Sequence, residues 1–134
     1  MILPFTLILM ASICNAVMDI TSHKFHQSIF NSSKFNPLFW NPSVSWKNKY
    51  INGDVNQGRK QWIIFGLKIN IHPSFTDSWH LFKSIMIFCL IGAVVLYNSH
   101  GLIYDLGLFI IYGISWNITF SLFYKRILKK NENI

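Results

Sequence analysis

Three stretches of this chain are apolar for long enough to cross a bilayer, over residues 3–20, 81–97 and 102–124. A spanning helix needs about 17–25 predominantly apolar residues. In hydrocarbon the backbone must satisfy its own hydrogen bonds, so each stretch predicts a helix rather than a strand or an open loop. The rest of the composition agrees. Hydrophobic residues make up 51% of the chain and charged residues only 13%, against the roughly 25% usual in soluble domains. The expected fold is therefore an all-α membrane protein, a single domain over 1–134. Its parts are a helix at about 3–29, a loop over 31–76, a second helix at about 77–98, a third at about 102–124, and a basic tail over 125–134.

The cations set the orientation. All twelve Lys and Arg lie between the first and second runs, near the start of the second, or beyond the third. None lies in the turn Asn98-Ser99-His100-Gly101. Positive residues stay on the cytoplasmic side, which predicts an outside N-terminus, a cytoplasmic central loop and a cytoplasmic C-terminus. The net charge of +7 is then accounted for by topology and anionic lipid, and no nucleic-acid partner is expected. No Lys or Arg precedes the first apolar run, whose first following cation is Lys24. It reads as an uncleaved anchor rather than a secretory signal. Cys14 and Cys89 each sit inside an apolar run with no CxxC or Cys/His spacing, so both read as small core residues.

The first run carries a polar stripe. Ser12, Asn15, Asp19, Ser22, His23 and His26 fall within a sector of about 100° if the helix continues to residue 30. An intramembrane carboxylate is costly unless it faces protein or water, so the stripe should face a partner helix or a wet cavity. The third run carries Gly113, Asn117, Ser121 and Tyr124 at helical spacing. With Asn15, the residues Asn117, Ser121 and Tyr124 make an expected polar interior, in which Asn117 bonds across a helix interface and small residues allow close approach. Asp105 and His100, at the other end of the third run, are expected to stay solvated.

Between the spans, Asn36-Pro37 and Asn41-Pro42 mark turns. The segment mixes Trp40, Trp46 and Tyr50 with Lys47, Lys49, Arg59 and Lys60, a pattern of the headgroup layer. The short apolar run WIIFGLKINI cannot span a bilayer. It fits an interfacial helix or a hairpin strand equally well.

Topology puts Asp19, His23 and His26 near the same level as Asp77 and His80. Carboxylates and imidazoles at i, i+3 and i, i+4 spacing suit a divalent metal such as zinc, iron or manganese, and an open position on it would activate water. Lys83, Lys47, Lys49, Arg59 and Lys60 would then stabilise a lipid or headgroup phosphate. The competing reading gives Asp77 to a helix N-cap and Asp19 to a structural hydrogen bond, and lets His80 and Lys83 snorkel to the interface.

The segments NAVMD (15–19), FNPLFWNPSVSWKNKY (35–50) and TDSWHLFKS (76–84) together resemble a group of small uncharacterised bacterial or phage membrane proteins. That resemblance implies a bacterial inner membrane and carries over no activity and no catalytic residues. Three functions are left to weigh. The first is a metal-assisted hydrolase acting on a lipid phosphate. The second is a non-catalytic accessory, immunity or exclusion module, whose aromatic and basic loop binds lipid or another membrane protein. The third is an oligomeric ion pathway along Asn15, Asp19 and Asn117.

Overall fold

The computed structural model describes residues 2–130; the last four residues of the expected tail lie outside them. Helices α1 (Ile2–His23), α4 (Ser78–Val95) and α5 (Leu102–Leu122) are each long and apolar enough to cross a bilayer. Two one-turn helices, α2 (Pro37–Trp40) and α3 (Pro42–Ser45), and a two-stranded hairpin, β1 (Gln61–Ile64) with β2 (Leu67–Asn70), lie between α1 and α4. The all-helical expectation holds for the spans. The run at 61–70 resolves to the hairpin.

α1 packs along both α4 and α5, with α4 the closer partner. Small side chains on α1 make this possible: Ala11, Ser12 and Ala16 are fully buried. On α4, a methyl group added at Gly92 would sit 3.2 Å from Leu7 Cδ1. Close approach through small residues is the usual adhesive between helices in lipid, where the surrounding tails are as apolar as leucine. The two cysteines are free and buried.

α1 ends at His23, several residues before the expected boundary. Lys24 takes φ −137°, ψ 35°, and a 3-10 turn follows over Phe25–Gln27. A continuous helix would set Phe25 and Phe30 about 140° apart, so both could not face the bundle. Breaking the helix buries both rings, with Ala16, Val17, Ile20 and Leu128. The chain beyond α5 closes the same core. A π turn over Phe123–Ile127 brings Leu128 inward, where its carbonyl accepts from Ile29 N at 2.8 Å.

The Asn-Pro pairs behave as capped helix starts. Asn36 Oδ1 accepts from Leu38 N, and Asn41 Oδ1 accepts from Ser43 N, with proline at the first helical position each time. Such side-chain acceptors satisfy amides that have no partner inside the helix. Trp40 then stacks on Phe30 (4.0 Å between centroids, 7° between planes) and also meets Phe35, Phe39 and Phe82. This aromatic cluster fastens α2 to the ends of α1 and α4.

Candidate functional site

The end of α1, the start of α4 and the end of α5 share one core, so all twelve Lys and Arg gather at one end of the bundle. Four lysines there lie over aromatic rings. Lys24 Nζ is 5.3 Å from the Tyr124 centroid, Lys47 is 5.6 Å from Trp46, Lys49 is 5.3 Å from Tyr50, and Lys83 is 4.7 Å from Trp79. A ring face attracts the ammonium through its quadrupole while leaving its remaining hydrogen-bond capacity to solvent or headgroups. Lys60 differs: it donates to Asn48 Oδ1 at 2.8 Å, and Asn48 Nδ2 donates to Thr76 O at 2.7 Å. Arg59 is exposed, and its residue pairs with Tyr50 in an isolated antiparallel bridge.

Asp77 is buried at the N-cap of α4. Its Oδ1 accepts from His80 N at 2.9 Å, and Oδ2 pairs with His80 Nδ1 at 2.7 Å. The N-cap role of Asp77 and its contact with His80 are therefore one arrangement. It leaves Nε2 as the ring nitrogen of a half-exposed imidazole that is not engaged with Asp77. Below this cap, Ser74 Oγ and Ser84 Oγ lie 2.6 Å apart, and His72 Nδ1 lies 2.9 Å from Ser74 Oγ.

The other expected ligands are placed separately. Asp19 is half-buried on α1, His23 is exposed at its last residue, and His26 is exposed in the 3-10 turn. Because the helix stops at His23, His26 leaves the stripe on which the five-residue grouping depended. Among the described residues, no three His, Cys, Asp or Glu lie close enough to hold a metal ion. Asp77 and His80 are the two that meet.

The expected polar interior also divides. Asn117 is exposed and donates to Gly113 O on its own helix at 2.9 Å, so it does not bridge helices. Asn15, Ser121 and Tyr124 are half-buried. The bond that does cross from α1 to α5 comes from Ser12, whose Oγ donates to Trp116 O at 2.8 Å. Its place in the α1 stripe was the available signal, but the acceptor is a backbone carbonyl and leaves no mark in the sequence. Trp40, expected as an interfacial aromatic, is half-buried in the ring cluster. Trp46 is 46% exposed and donates through Nε1 to Ser43 O at 3.1 Å. Tyr50 is half-buried.

At the opposite end, Asp105 is only partly solvated. It accepts from the Tyr97 hydroxyl, from Ser99 Oγ at 2.6 Å and from His100 N at 3.2 Å, fixing the turn between α4 and α5. The bond to Asp105 holds the Tyr97 phenol in its neutral form, with its pKa pushed up to about 12. An apolar cleft of about 300 Å³ lies beside this turn, between Ala93 and Val94 of α4 and Leu108, Phe109 and Tyr112 of α5.

The chain matches no protein-family model, no curated protein and no solved structure.

Proposed function

We propose that this protein is a non-catalytic membrane module of the accessory, immunity or exclusion kind. In this reading its basic and aromatic end sits at the cytoplasmic face of a bacterial inner membrane, with the N-terminus outside. That end binds anionic headgroups and presents the segment between α1 and α4 to another membrane protein. One observation carries the reading. Four lysines rest on aromatic rings at the end of the bundle that holds every cation. Aromatic rings at headgroup depth, with cations reaching past them to phosphate, are the arrangement expected of an inner-leaflet surface.

Native mass spectrometry tests it. Protein released from nanodiscs of mixed phosphatidylglycerol and phosphatidylcholine is expected to retain phosphatidylglycerol selectively. Combined Lys24→Ser, Lys47→Ser, Lys49→Ser and Lys83→Ser substitution is expected to abolish the preference. Equal retention of both lipids, or a preference untouched by the four changes, overturns the reading.

A second reading draws on the Asp77–His80 pair. A carboxylate on one ring nitrogen fixes the tautomer and orients the other nitrogen, as in metal centres and in general bases. On that reading His80 Nε2 would take the proton of a water that attacks the phosphorus of an ester held by Lys83. The P–O bond to the alcohol would break, with the proton passing to the departing oxygen. Otherwise Nε2 would help hold a divalent ion that activates the water, the remaining ligands coming from substrate or partner. Stoichiometric zinc, iron or manganese in the purified protein, lost on His80→Gln, would favour it over the first reading.

A further inference from the structure

The β1–β2 hairpin is short, and every one of its eight strand residues is exposed. Its register pairs Trp62 with Ile69 and Ile64 with Leu67. Directly opposed residues point to the same side of a sheet, as do residues two apart along a strand. Trp62, Ile64, Leu67 and Ile69 therefore form one wholly apolar face. The opposite face carries Gln61 opposite Asn70, which donate and accept across the strands at 3.0 Å, and Ile63 opposite Lys68. Phe75, itself 59% exposed, extends the apolar side by meeting Trp62 at 5.1 Å.

The turn strengthens the case. Phe65 and Gly66 both have positive φ, 51° and 80°. A two-residue hairpin turn of this kind favours Asn, Asp or Gly at its first position, because a side chain there is strained. Here the position holds a phenylalanine whose ring is fully exposed. Neither the turn nor packing within the chain accounts for that choice.

The hairpin is also held in a defined place. Its neck is closed by Ile71 N donating to Lys60 O at 3.0 Å. Lys60 reaches Asn48, and Asn48 reaches Thr76 O, next to the cap of α4. The base is thus tied to the residue just before the N-cap of α4. Residues 55–76 contain Arg59, Lys60 and Lys68 and no Asp or Glu, which suits an anionic surface and not a basic partner.

We infer that the hairpin is a membrane-dipping wedge. Trp62, Ile64, Leu67, Ile69 and the Phe65 tip enter the headgroup–acyl boundary of the bilayer that the helices cross, while Lys68 stays at the aqueous side. This deepens the reading of the basic end as the membrane-surface end, on which it rests. It adds a monotopic contact outside the three spans.

Spin-label depth measurement tests the inference on the full chain with Cys14→Ala and Cys89→Ala. Labels are placed one at a time through Phe65→Cys, Leu67→Cys, Lys68→Cys and Asn56→Cys, in nanodiscs of phosphatidylcholine alone and of phosphatidylcholine with phosphatidylglycerol. Insertion to the usual interfacial depth predicts that labels at 65 and 67 collide with an aqueous nickel chelate about tenfold less often than those at 56 and 68. The label at 67 lies outside the strained turn, so it reads the same face if Phe65→Cys disturbs the tip. Labels at 65 and 67 as open to the chelate as that at 56 in both lipids overturn the wedge, and leave the face to a protein partner. Shielding at 67 equal to shielding at 68 also overturns it, since that is a buried hairpin without a lipid face. The depth contrast is expected in neutral lipid as well. A failed phosphatidylglycerol preference with an intact depth contrast therefore sinks the lipid-selective reading and not the wedge.

Discussion

Trp40→Ala would release the segment between α1 and α4 from the bundle. Trp40 is half-buried, stacked on Phe30 at 4.0 Å and in contact with Phe35, Phe39 and Phe82. Of the roughly 200 Å² such a side chain offers, about 120 Å² is lost to solvent on release, or about 3 kcal/mol at 25 cal/mol per Å². The ring geometry adds about 0.5–1 kcal/mol, and residual compactness of the released segment removes a similar amount. At 1.4 kcal/mol per tenfold, opening of the segment becomes about 100-fold more frequent. Amide exchange across residues 36–45 in nanodiscs measures it, because these amides exchange through local opening. Trp40→Phe keeps a stacked ring and should change exchange less than about tenfold. Trp46→Ala, at an exposed ring 6.5 Å from Tyr50, should leave exchange within a fewfold of the parent. Unchanged exchange in Trp40→Ala, or equal acceleration by Trp46→Ala, would refute the assignment of Trp40 to packing. The distinction matters for function. Loss of partner binding in Trp40→Ala would reflect a detached segment, whereas loss in Trp46→Ala would mark a contact.

Other expectations follow from single bonds. Ser12→Ala removes the donor to Trp116 O and should cost about 0.6–1.7 kcal/mol in a bilayer unfolding assay, while Ser12→Leu, at a fully buried site, should cost more through overpacking. Asp77→Ala deletes the α4 cap and should cost about 1 kcal/mol, seen as faster exchange at His80 N, with Asp77→Asn recovering most of it. Tyr97 has a folded pKa raised from 10.0 to about 12 by its bond to Asp105. Its contribution is complete below about pH 10 and is lost as pH rises through about 12. One tyrosinate signal should therefore appear late in an alkaline absorbance titration, and Tyr97→Phe should delete it.

Sequence-based expectation reached the parts of this protein that depend on local composition. The cost of placing a residue in hydrocarbon belongs to that residue alone, so three helices long and apolar enough to cross a bilayer could be read directly. The cap at Asp77 was legible for a related reason, since an N-cap is a contact between near neighbours, whereas Asn36 and Asn41, read as turns, cap one-turn helices in the structure. The run at 61–70 was open between helix and hairpin because ten apolar-rich residues fit either period. The closing bond from Ile71 to Lys60 and the brace through Asn48 hold it as a hairpin in the structure.

Pairings between distant side chains needed the tertiary structure. The stripe from Asn15 to His26 assumed an unbroken helix, yet burial of both Phe25 and Phe30 outweighed one more turn, and His26 left the stripe with it. Ser12 rather than Asn117 crosses to the neighbouring helix, because the crossing point of α1 and α5 puts a backbone carbonyl beside Ser12 and turns Asn117 outward. Hydropathy is a sum over single residues and survives without coordinates. A pairing depends on the relative rotation of two helices, which the packing of α1 against α4 and α5 alone decides.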